Sequence, residues 1–319
     1  MSRHPNRPAS SPRRHGAAVF ARVAILAMAI GGACLAQPSV TASAGVSVQD
    51  DDGRAVTLRH PAVRAISLAP HATELVYAAG AGDRLVGVAR GSDYPPQARA
   101  LPSVGDGLVP DSERVAALRP DLVIGWLPAG AAPLLPVLRA LDVPVYYSDP
   151  RTLRDIPDAV DRMGVLFGTQ AVAAPAAAAL RARIDALAAR YAGRKPVRVF
   201  IQAGGDPLYT LNGSSIVSDA LRLCGGINVF ADAPVTAPQV TQEAVLAAQP
   251  DVIVASAASL QAITAAWRAL RLPAALRGRV VGMDADALYR PGPRLIDAAE
   301  TLCAALDRAR DTTDTPGPR

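Results

Sequence analysis

Apolar positions along this 319-residue chain come in two rhythms. Short, largely unbroken apolar runs occupy residues 64–68, 85–88, 122–126 and 143–147, then 197–201, 252–255 and 280–283. Runs of this length predict strands buried on both faces, as in parallel sheets. Between them, residues 73–79, 132–141, 216–223 and 294–309 carry apolar residues at helical spacing. Residues 153–192 predict a longer helical stretch, alanine-rich from 171 onward, with Leu180, Ile184, Leu187 and Tyr191 on one face. A helix of about 22 residues reaches roughly 33 Å, enough to bridge two small lobes. Gly80 and Gly82 follow a helix and precede a strand, the reverse of a phosphate-cradling loop, so Gly80 reads as a helix C-cap.

The pattern also repeats. Ser112-Glu113-Arg114-Val115-Ala116-Ala117-Leu118-Arg119-Pro120-Asp121-Leu122-Val123-Ile124 returns 130 positions later (242 − 112) as Gln242-Glu243-Ala244-Val245-Leu246-Ala247-Ala248-Gln249-Pro250-Asp251-Val252-Ile253-Val254. A helix that stops before Pro-Asp and feeds a β-branched run is an αβ unit. Two copies predict two similar α/β lobes with mainly parallel sheets, each with a glutamate at the start of the same helix. Two lobes leave a cleft between them.

The N-terminus is different. Residues 1–22 hold five arginines and no acid, and residues 23–36 are uncharged and end in small residues. Basic, apolar and small-residue regions in that order predict a secretory signal, with cleavage after Ala36 or Ala44, or lipidation at Cys34. Removing residues 1–36 takes the formal charge from +5 to 0 (+5 − 5), which argues against a nucleic-acid surface. Two cysteines then remain, Cys224 and Cys303. In an oxidising compartment they read most simply as a disulfide, the alternative being two buried thiols. Only His60 and His71 survive export, and no Cys-x-x-Cys, His-Glu-x-x-His, Gly-x-Ser-x-Gly or Walker motif is present, so metal and nucleophilic chemistry have few donors. His71 is expected in a loop or helix cap rather than on a ligand.

Several segments together resemble the periplasmic substrate-binding proteins of bacterial ABC importers, in the class that carries cobalamin, heme and siderophores. They are Ser67-Leu68-Ala69-Pro70-His71-Ala72-Thr73-Glu74-Leu75, Ser92-Asp93-Tyr94-Pro95-Pro96, Cys224-Gly225-Gly226-Ile227-Asn228, Ala237-Pro238-Gln239-Val240-Thr241-Gln242-Glu243 and Pro293-Arg294 to Leu302-Cys303. The resemblance is closest to the cobalamin branch. It implies two Rossmann-like lobes joined by a long backbone helix, the class III binding-protein plan. The expected organisation is a signal peptide (1–36), a lead-in with a hairpin near Asp50–Gly53 (37–62), a first lobe (63–160), a helical linker (161–195), a second lobe (196–309) and a disordered tail (310–319).

The resemblance also implies roles. Glu113 and Glu243 would dock arginines on a membrane permease that works with a cytoplasmic ATPase, and Cys224 and Cys303 would pair. The bland alternative for the glutamates is a favourable place in the helix dipole. The cleft of a monomeric, periplasmic, non-enzymatic protein would hold a corrinoid, a flat macrocycle that calls for aromatic walls and a few polar groups. By position, Tyr94 and Trp126 would come from the first lobe, and Tyr209, Asp286, Tyr289 and Arg290 from the second. Heme is the alternative cargo, with Tyr94 as axial phenolate ligand, and a ferric siderophore is another. The cobalamin branch has tryptophans where this chain has Gly107 and Ala237, so a wider pocket is expected here.

Overall fold

The computed structural model describes residues 45–311. The expected signal segment with Cys34, and residues 312–319 of the expected tail, lie outside the described residues.

A two-stranded antiparallel hairpin comes first, β1 (Val46–Gln49) and β2 (Ala55–Leu58). Asp50 closes its turn by accepting the N–H groups of Asp52 and Arg54 at 3.1 and 2.7 Å. Two four-stranded sheets follow. The first contains β3 (Ala65–Ser67), β4 (Leu85–Val88), β5 (Leu122–Gly125) and β6 (Val145–Tyr147) in the order β4-β3-β5-β6. The second contains β7 (Val197–Gln202), β8 (Gly226–Asn228), β9 (Val252–Ser256) and β10 (Val280–Met283) in the order β8-β7-β9-β10. Every pairing within the two sheets is parallel, and the strand order is the same when each lobe is counted from its own first strand.

The repeated Pro-Asp motif has a structural cause. Asp121 accepts the N–H groups of Val63 and Arg64 at 2.9 and 3.0 Å, fixing the chain as it enters β3. Asp251 accepts the N–H of Arg198 at 3.0 Å, at the start of β7. In return, the Arg64 guanidinium donates to Leu118 O and Arg119 O, and that of Arg198 to Ala248 O, covering carbonyls that the helix ends leave unpaired. The preceding residues Arg119 and Gln249 both turn with positive φ, 45° and 43°. One carboxylate and one guanidinium thus weld helix end to strand start in each lobe.

Between the sheets run the helices Asp155–Phe167 and Gln170–Tyr191. The predicted continuous stretch breaks at Gly168, whose φ of +68° caps the first helix in a left-handed turn. The two helices pack so closely that a Cβ on Gly164 would sit 2.4 Å from Ala173 Cβ. On the 22-residue helix, Ala173, Ala177, Ile184, Leu187 and Tyr191 form a buried stripe. The main apolar cluster passes through these helices and the final helix Arg294–Asp311 from one lobe to the other, so the lobes share a core.

Two expectations about the ends of elements are corrected. The first-lobe helix begins at Pro70 rather than 73, because proline is well suited to a first helical turn whose N–H groups have no partner. His71 is therefore in that first turn, fully buried, and not in a loop or cap. Arg310, placed in the tail by its sequence, belongs to the last helix. Its guanidinium donates to Cys224 O and Lys195 O, each at 2.7 Å. Cys224 and Cys303 form a disulfide buried beside it. Among the described residues no helix is long and apolar enough to cross a membrane.

Candidate functional site

The candidate residues all lie just beyond the C-terminal ends of parallel strands, where α/β sheets leave their crevices. Tyr94 follows β4, Trp126 follows β5, Tyr209 follows β7, and Asp286, Tyr289 and Arg290 follow β10. Tyr94, Trp126 and Tyr209 are large side chains left substantially exposed, at 44, 43 and 38 %. In a chain whose other tyrosines and tryptophan are largely buried, three exposed rings at strand ends mark a surface available for contact.

An ion-pair network crosses between the lobes at this level. Arg290 donates to Asp93 at 2.7 Å, pairs with Asp286 at 2.7 Å, and lies 3.5 Å from Glu74. Arg294 grips the same Glu74 with two bonds, 3.1 and 2.5 Å. Glu74 comes from the first-lobe helix Pro70–Ala78 and its side chain is 2 % exposed, so its charge is compensated almost wholly by two second-lobe arginines. The Arg290 hydrogen bond holds the Asp93 carboxyl below its ordinary value. Arg294 also lies over the Tyr94 ring, 4.3 Å from its centroid, a cation–π contact that fixes one face of that ring.

The remaining candidate residues are held by contacts of their own. Tyr289 donates its hydroxyl to Gln202 O at 3.3 Å, and burial pushes its phenol up to about 12. Tyr209 sits at the same strand end, its carbonyl accepting the Ala203 N–H at 2.9 Å. Trp126 meets His71 edge to face, with ring centroids 5.6 Å apart. The structure therefore joins Tyr94, Asp286 and Arg290 through shared partners, and joins Tyr209 to Tyr289 through the end of β7. Trp126 stands apart from this network and contacts His71, one helical turn before Glu74.

Sequence reasoning missed Glu74, Asp93 and Arg294, although all three stand in segments it quoted. A visible signal was Glu74 itself, an acid inside the apolar run of a first-lobe helix, which needs a buried partner. The expected substitution site at Gly107 also reads differently. A Cβ there would lie 2.2 Å from Leu68 O, so this loop path admits no side chain at 107, and the neighbouring Leu108 and Val109 are exposed.

Glu113 and Glu243 occupy equivalent places. Each is exposed in the first turn of its helix, Ser112–Ala117 or Gln242–Ala248, between the second and third strands of its lobe. Asp111 caps the first helix through the Glu113 and Arg114 N–H groups, and Thr241 caps the second through that of Ala244. The Glu243 carboxyl is held below its ordinary value by its own N–H and the Thr241 hydroxyl.

Comparison with known proteins gives a consistent picture. A vitamin B12-binding protein of Vibrio cholerae is 42% identical over 253 residues, covering 78% of this chain and 91% of the relative. A vitamin B12-binding protein of Photorhabdus laumondii is 38% identical over 247 residues, covering 77% and 88%. The crystal structure of the periplasmic vitamin B12 binding protein of Vibrio cholerae superposes with a TM-score of 0.73, over 78% of this chain and 98% of that one. The apo periplasmic heme-binding protein of Roseiflexus sp. RS-1 superposes with a TM-score of 0.66 at 28% identity, over 77% and 98%. The pattern of the periplasmic binding protein family matches residues 66–287, and this chain, two parallel-sheet lobes on a helical spine, belongs to that family.

Proposed function

We propose that this protein is the periplasmic solute-binding component of an ABC importer, that it captures a corrinoid between its lobes, and that it delivers the cargo chemically unchanged to a membrane permease. The observation that carries this reading is the 42% identity to a vitamin B12-binding relative across nearly the whole of that relative. The site chemistry supports it. Exposed Tyr94, Trp126 and Tyr209 supply flat apolar surface for a macrocycle, and Asp286 and Arg290 supply polar groups for its amide rim. Tyr289 backs the wall beside Tyr209.

Docking falls to Glu113 and Glu243. Both carboxylates are exposed, and their symmetric placement suits a permease that presents one arginine to each lobe. Exposed charges of this kind steer and orient more than they bind, so complex formation should weaken as salt rises.

Heme is the second reading, favoured by the 28% identical heme-binding structure and by Arg294 over the Tyr94 ring, where a cation would stabilise a phenolate ligand. Absorbance of the mature protein after incubation with equimolar cyanocobalamin and hemin, followed by gel filtration, separates the two. Retained corrin bands are expected. A retained Soret band without corrin bands would replace the corrinoid by heme.

A further inference from the structure

Trp126 is held in place by more contacts than an exposed wall residue needs. Its indole N–H donates to Asp149 Oδ1 at 2.8 Å, and its ring meets the edge of His71. Asp149 is itself anchored from behind. Its N–H donates to Asp51 Oδ2 at 2.7 Å, and its second carboxylate oxygen accepts from Arg151 at 3.0 Å. Asp51 lies in the turn of the N-terminal hairpin, and its other oxygen pairs with Arg162, which donates to Tyr146 Oη at 2.7 Å. The Asp51 N–H donates to Tyr147 O at 3.0 Å, and the Tyr147 N–H to Asp50, which stitches the hairpin turn to β6. On the other side, His71 donates from Nε2 to Ser148 O at 3.0 Å, so the residues that flank Trp126 both hang on the segment 147–149.

We infer that Asp149 and His71 are positioning residues for Trp126, and that the N-terminal hairpin, through Asp51, is the anchor that orients this aromatic wall of the cleft. An indole that is 43 % exposed has rotamers to choose from, and a hydrogen bond to its only donor removes that freedom before ligand arrives. A buried imidazole at its edge blocks the inward rotamer. Burial lowers the His71 pKa to about 4, so the ring stays neutral at ordinary pH and presents an uncharged edge to the indole. The hairpin, expected from the sequence as part of the lead-in, thereby becomes part of the binding machinery.

The inference rests on Trp126 being a cleft wall, and its test keeps the two ideas apart. The protein has two tryptophans, and Trp267 is buried with its N–H given to Gln202, so acrylamide quenching of the folded protein reports Trp126. Asp149→Ala is expected to raise the quenching constant and to weaken cyanocobalamin binding about tenfold. Asp149→Asn keeps the acceptor and should restore both readouts to within about twofold. In a Trp126→Phe background, Asp149→Ala should change affinity by less than about twofold, because nothing is left for the carboxylate to orient. Unchanged quenching in Asp149→Ala, or an affinity loss that persists in the Trp126→Phe background, would overturn the positioning role. Should Trp126→Phe bind cyanocobalamin like the unaltered protein, Trp126 is not a wall, and the quenching arm alone decides whether Asp149 positions it.

Discussion

The two lobes share one blueprint and differ in where they are braced, the first at the strand ends that carry the candidate site and the second at its strand starts. Both use the same parallel strand order, the same Asp–Arg weld between helix end and strand start, and the same capped helix carrying an exposed glutamate. The first lobe adds polar tethers: a buried histidine, Asp149 and a hairpin that braces β6. The second adds a covalent one, with Cys224 joined to Cys303 and Arg310 closing over the same helix end. The lesson is that duplicated elements build the frame, whereas the unduplicated ones specialise each lobe.

That contrast can be broken at its strongest point. Replacing Cys224 and Cys303 by serine frees a loop of 79 residues, and the chain-entropy account expects a loss of roughly 4–5 kcal/mol. Urea unfolding of the variant, with hydrogen exchange to map the change, should place the loss in the second lobe. An equal loss of protection in β3–β6 would mean that the lobes do not hold separate reinforcements.

Next comes the bridge between them. Glu74→Gln leaves Arg294 without its counter-charge in a buried place, and a cost of roughly 3 kcal/mol is expected. Arg290 keeps Asp93 and Asp286, which is why the figure stays at the low end for a broken buried pair. Calorimetric unfolding should broaden as the lobes uncouple; a sharp transition at unchanged temperature would mean that Glu74 does not couple the lobes.

A pH titration sharpens the comparison further. His71 has a folded pKa of about 4 against about 6.5 in an unfolded chain, because burial disfavours its charge. Between those values the unfolded chain binds the proton that the folded ring refuses, so stability is full above pH 6.5 and falls towards pH 4, by roughly 3 kcal/mol. The second lobe has no histidine between residues 196 and 309. His71→Gln should therefore flatten the dependence between pH 4 and 6.5, and an unaltered slope would assign it to other groups.

The smallest expected effect concerns the shared weld. Asp121 accepts two backbone N–H groups and Asp251 one, so Asp121→Ala should cost roughly 2 kcal/mol and Asp251→Ala roughly 1 kcal/mol, read from denaturation midpoints. Equal costs or a reversed order would show that the number of N–H groups accepted does not set the strength of the weld.

Much of this frame was legible in the residues. The bounds of the helix Ile216–Leu223 and of β10 follow directly from helical spacing and a β-branched run, and the Pro-Asp repeat announced two equivalent αβ units. Local signals failed where partners are remote. Glu74 and Arg294 are 220 positions apart, and Asp51 and Asp149 are 98 apart, so neither pair leaves a pattern in any window. The short β8 was hidden in a Gly-Gly cap, since Gly225 ends a helix and Gly226 already begins the strand. The helix Leu260–Ala269 went unpredicted although Ile263, Trp267 and Leu270 are spaced to share one face.

On the proposed reading, both lobes together hold one corrinoid. Isothermal calorimetry of the mature protein with cyanocobalamin tests it most directly, run beside Tyr94→Ala and Tyr209→Ala. One site per chain with micromolar or tighter affinity is expected, weakened by either substitution because the rings stand on opposite lobes. The absence of heat at micromolar concentrations, or an affinity that only one lobe's substitution alters, would contradict it.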